Sequence, residues 1–62
     1  MFSVLVVEDD VPANKLMTIV LKNGGYKPIA AFSSSEAVRL FESEKPDLVL
    51  ADVMLPDVSG FR

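Results

Sequence analysis

Four carboxylates stand where chemistry would be done. Glu8, Asp9 and Asp10 directly follow the apolar run Val4-Leu5-Val6-Val7, and Asp52 directly follows Leu48-Val49-Leu50-Ala51. Short apolar runs without polar alternation suit parallel strands buried on both faces. Open α/β sheets bind ligands beyond the carboxyl ends of such strands. A carboxylate placed there can hold a hard cation or act as a nucleophile. Pro56 and Gly60, with polar residues between, turn the chain just after Asp52. Asp52 is the leading candidate for the chemistry. The plainer roles are turn former or helix cap for Asp52, and complement to a helix dipole, worth about 0.3–1 kcal/mol each, for the first three acids. One acid would suffice for the dipole; three in a row ask for another reason.

Positioning these acids requires strands and crossovers. Pro12 suits the first turn of a helix. Beyond it Ala13, Leu16, Met17, Val20 and Leu21 recur at helical spacing, with Asn14, Lys15, Thr18 and Lys22 over much of the opposite side. Asn23-Gly24-Gly25 stops this helix by a left-handed C-terminal route. Tyr26 to Phe32 forms the next strand, and Pro28 assigns it to a sheet edge because proline cannot donate to a ladder. Ser33 and Glu36 have capping-box spacing, while a later Ser would cap alone. Ala37, Val38, Leu40 and Phe41 form the buried face of the second helix, with Glu36, Arg39, Glu42 and Glu44 outside. Lys45-Pro46 ends it, since a residue before proline is pushed out of the α region.

The expected order is β-α-β-α-β, with strands at about 2–8, 26–32 and 47–52 and helices at about 11–23 and 34–44. Right-handed crossovers and the edge position of the second strand predict a parallel sheet of order 2-1-3, with one helix on each face. Strands one and three are then neighbours, about 5 Å apart, which brings Asp52 toward Glu8, Asp9 and Asp10. Clustered carboxylates repel unless a proton or cation relieves them. An oxygen-only donor set favours Mg2+, or Mn2+, over zinc.

Composition excludes several classes. The 62 residues make one small domain at most, without Cys or His for a disulfide or a structural zinc site. Half the residues are hydrophobic, too many for an acidic disordered segment, and a net charge of −3 argues against direct nucleic-acid binding. The N-terminus M-F-S-V-L-V-V-E-D-D has neither a basic n-region nor a span long enough for a bilayer, so the expectation is a cytoplasmic chain with no membrane partner.

The cluster V-V-E-D-D and the stretch L-V-L-A-D-V-M-L-P-D-V-S-G resemble the receiver domain of two-component response regulators, a flavodoxin-like phosphoacceptor module. The resemblance runs over the whole chain. It implies that Asp52 accepts a phosphoryl group from a phosphohistidine on a histidine kinase or phosphotransfer protein. It further implies that Glu8 and Asp9, with Asp52 and the backbone carbonyl of Met54, hold Mg2+. The chain is then an acceptor and not an enzyme. A receiver has five strands and five helices, so the resemblance makes residues 1–62 the N-terminal half, with the third helix beginning near Phe61-Arg62. The switch Ser or Thr of strand four, the Lys of strand five and the responsive aromatic residue would fall beyond it.

Other functions fit less well. A haloacid-dehalogenase-type phosphatase needs a second Asp two residues after its nucleophile, where this chain has Met54. A P-loop protein needs G-x-x-x-x-G-K-[ST], which does not occur. The stronger rival is a non-signalling, natural or engineered half-domain that folds by homodimerisation. In the 2-1-3 order the third strand is an apolar edge, and Leu16, Met17, Val20 and Leu21 cannot all be covered by three strands. On either reading the chain is expected to be a homodimer, and as a receiver half it is expected to show impaired phosphoryl transfer.

Overall fold

A computed structural model describes residues 1–51. Its elements are β1 (Ser3–Val7), α1 (Val11–Asn23), β2 (Lys27–Ala31), α2 (Ser34–Glu44) and β3 (Leu48–Ala51). All strand pairs are parallel and the sheet order is β2-β1-β3, as the crossover argument requires. Pro28 sits on the edge strand, paired with Val4 of β1. The turn at Pro56 and Gly60, the end of the third strand at Asp52 and the helix expected near Phe61 lie outside the described residues.

β1 is the centre of the core because, among the described strands, it alone has a strand on either side. Val4, Leu5, Val6 and Ala31 are buried. Side chains alternate along a strand, and Leu5 lines a surface hollow together with Ala37, Val38 and Phe41 of α2. Val4 and Val6 therefore face the side of α1. Both helices pack over β1 and β2, and neither packs over β3.

Local signals account for the helix ends. The Asp10 carboxylate accepts from the Ala13 N–H at 3.0 Å and caps α1. At the other end, Tyr26 N–H donates to the Leu21 carbonyl and Gly25 N–H to the Lys22 carbonyl. This is a Schellman closure, with Gly25 at φ +90° as its left-handed residue. Ser33 caps α2 by accepting from the Glu36 N–H at 3.2 Å. The Glu36 carboxylate reaches back to the Phe32 N–H at 2.8 Å, one residue earlier than the standard capping box.

Lys45 leaves the α region before Pro46 as expected, entering the left-handed region (φ 48°, ψ 61°). There its N–H still reaches the Phe41 carbonyl at 3.0 Å. Asn14, by contrast, does not lie on the polar side of α1 as expected. It is 0% exposed, whereas Leu16 and Val20 of the expected apolar stripe are 64% and 60% exposed. The sheet-facing stripe consists of Asn14, Met17, Thr18 and Leu21, which keep i, i+3, i+4, i+7 spacing. Apolar residues occupy two faces of α1, so periodicity allowed either phase; hydrogen bonding to the strand ends selected this one. On α2, Ala37 and Leu40 are half-buried, while Val38 and Phe41 stay exposed beside the uncovered face of β3.

Candidate functional site

Glu8 and Asp9 emerge at the carboxyl end of β1. The Glu8 N–H donates to the Ala31 carbonyl at 3.0 Å, extending the β1–β2 ladder beyond β1. The Glu8 side chain is buried, 4% exposed, and its Oε2 accepts from the Asp10 N–H at 3.0 Å. Asp9 is exposed. The three acids thus divide their work: Asp10 serves the helix start, Glu8 is built into the strand-to-helix turn, and Asp9 faces outward.

Asn14 completes this turn from beneath. Its Nδ2 donates to the Glu8 carbonyl at 3.1 Å and to the Ala31 carbonyl at 3.0 Å. Its Oδ1 is buried and finds no hydrogen-bond partner. The two carbonyls settle the amide orientation, since a flipped amide would set oxygen against oxygen. Sequence reasoning missed this residue. The available signal was its position four residues after the capping Asp10, in phase with Met17, Thr18 and Leu21.

β3 runs beside β1, with Val7 opposite Ala51. Asp52 is the next residue in the sequence, but Asp52 and Met54 lie outside the described residues. Among the described residues, no three acidic, His or Cys side chains form a metal-binding group. Glu8 and Asp9 offer carboxylate oxygens only, a donor chemistry that fits a hard ion such as Mg2+. No helix among the described residues is long and apolar enough to cross a membrane.

The sequence matches the family model of the response regulator receiver domain over residues 4–62. The chain belongs to this family. As a receiver of the two-component type, it is similar to the alkaline phosphatase synthesis transcriptional regulatory protein PhoP of Bacillus subtilis, with 42% identity over 59 residues, 95% of this chain and 25% of the relative. It is also similar to the phosphate regulon transcriptional regulatory protein PhoB of Escherichia coli, with 39% identity over 59 residues, 95% of this chain and 26% of that protein. PhoB of Pseudomonas aeruginosa is 34% identical over 60 residues, 97% of this chain and 26% of the relative. The receiver chain thus spans about a quarter of the length of the curated relatives it matches.

Proposed function

We propose that this chain is the phosphoacceptor part of a two-component relay, with Asp52 receiving the phosphoryl group from a phosphohistidine of a histidine kinase or phosphotransfer protein. The observation that supports this most directly is the placement of Glu8 and Asp9 at the end of β1, beside the strand whose next residue is Asp52. In the transfer, a carboxylate oxygen of Asp52 forms a bond to phosphorus as the phosphorus–nitrogen bond breaks. The bonding electron pair leaves with the imidazole nitrogen, which takes up a proton. Mg2+, when bound, offsets the charge on the phosphoryl oxygens. Glu8, Asp9, Asp52 and the backbone carbonyl of Met54 are its proposed ligands. The chain acts as an acceptor and not as an enzyme, in the cytoplasm, without direct contact to nucleic acid or membrane.

The test is incubation with acetyl phosphate and Mg2+, followed by intact-mass measurement and mapping of the adduct. A single phosphoryl adduct on Asp52, lost in Asp52→Asn and in the absence of Mg2+, is expected. Labelling that persists in Asp52→Asn would contradict the assignment. The resemblance places the hydroxyl and lysine partners of the phosphoryl group on later strands that these 62 residues do not include. This chain tested alone should therefore label slowly, since positioning and charge stabilisation supply much of such rates.

A second reading rests on the sheet edge. Leu48, Val49 and Leu50 are exposed and neither helix covers β3, while Leu16, Ile19 and Val20 project from α1. An apolar strand edge is a template for pairing with another chain. The chain by itself is proposed to form a homodimer through this edge.

A further inference from the structure

We propose that Asn14 is a positioning residue for the cation site, holding the backbone that presents Glu8 and Asp9. This rests on the reading of those two acids as Mg2+ ligands. Asn14 touches no proposed ligand oxygen. It acts on the main chain instead, donating both amide hydrogens to carbonyls that end two adjacent strands, Glu8 on β1 and Ala31 on β2. The Glu8 N–H donates to the same Ala31 carbonyl, so Asn14, Glu8 and Ala31 form a closed hydrogen-bonded group at the sheet end.

Burial and chemistry favour this role over simple core filling. Asn14 is completely buried and leaves Oδ1 unpartnered, a cost of about 1–3 kcal/mol for an unsatisfied buried acceptor. An apolar residue at this position would carry no such acceptor, but it would remove one donor from each of the two carbonyls. Asp9 follows Glu8 directly, and Asp10 supplies both an N–H to the Glu8 carboxylate and the cap of the helix that carries Asn14. A shift of the Glu8 main chain would therefore move both acids. Groups that orient metal ligands commonly alter affinity by 10–100-fold when removed.

The test titrates the full 62-residue chain with Mg2+, following the denaturation midpoint and the NMR shifts of the Glu8 and Asp9 amides. Wild type is compared with Asn14→Ser, Asn14→Gln and Val4→Ala. Val4 is a core residue nearer the other end of β1, so its truncation lowers stability without touching the Glu8 or Ala31 carbonyls. Asn14→Ser should bind Mg2+ about 10-fold more weakly. Asn14→Gln, which keeps two N–H donors, should recover most of the affinity, and Val4→Ala should bind like wild type. Ligand binding to the folded state stabilises it by mass action, so variants unfolded without Mg2+ still report. A concentration that refolds Val4→Ala should fail to refold Asn14→Ser. Wild-type affinity in Asn14→Ser, equal losses in Asn14→Ser and Val4→Ala, or no recovery in Asn14→Gln would each overturn the proposal. Absence of any Mg2+ response in wild type would instead overturn the ligand assignment beneath it.

Discussion

Ser3 and Asp47 clasp each other at the start of the β1–β3 pair. The Ser3 N–H donates to Asp47 Oδ2 at 2.7 Å while the Asp47 N–H donates to the Ser3 carbonyl at 2.9 Å, and the Ser3 hydroxyl adds a contact to the same carboxylate. Neither helix holds β3, so this clasp and the ladder to β1 set its register. That register decides which residue of β3 stands opposite Val7.

Asp47→Ala is therefore expected to lower stability by about 1 kcal/mol, the usual worth of hydrogen bonds at an exposed site. Chemical denaturation measures it. Loss of amide-exchange protection should concentrate in Leu48 to Ala51; uniform loss across the sheet would show that Asp47 does not govern β3 specifically.

Asp9→Asn should change stability by less than about 0.5 kcal/mol, because Asp9 is exposed. It should nevertheless weaken Mg2+ binding severalfold through loss of an anionic ligand. A titration followed by NMR shifts decides this, and an unchanged affinity would remove Asp9 from the site.

Backbone conformation separates two substitutions. Lys45→Gly should stabilise by about 0.5 kcal/mol, since the left-handed conformation costs a side-chain-bearing residue about 1–2 kcal/mol and glycine's flexibility returns part of that. Gly25→Ala should destabilise by about 1 kcal/mol through its φ of +90° alone, because an added Cβ meets nothing within 4 Å. Thermal melts of both variants should move in opposite directions.

Light scattering of the isolated chain at micromolar concentration should give about twice the chain mass if β3 pairs with a second copy. Val49→Lys, which puts a charge on the exposed face of β3, should abolish association. A folded monomer with concentration-independent melting would remove the homodimer.

The order of elements and the parallel 2-1-3 sheet were legible because each depends on a local cue. The unalternated run at Val4 identifies a covered strand, whereas the run at Leu48, expected to be buried on both faces, forms an edge strand that stays exposed because neither helix packs over it. Pro28 excludes an interior position, and Ser33 and Gly25 mark helix ends. The acids could be ranked by place as well, since the ends of neighbouring parallel strands lie side by side.

The division of labour among those acids was not legible. Glu8, Asp9 and Asp10 are alike in composition and neighbouring in sequence, and only the turn from β1 into α1 separates a buried carboxylate, an exposed one and a helix cap. The same holds for Asn14. Hydropathy assigned it to solvent beside Lys15, because a polar side chain gains by burial only where specific partners wait for it. Those partners, the carbonyls of Glu8 and Ala31, lie 6 and 17 residues away along the chain. The sequence by itself determined which elements form and in what order they pair, since periodicity, proline and capping act within a few residues. Tertiary structure decided which face of α1 meets the sheet and how the strand end is held, because hydrogen bonds between distant segments exist only once those segments are brought together.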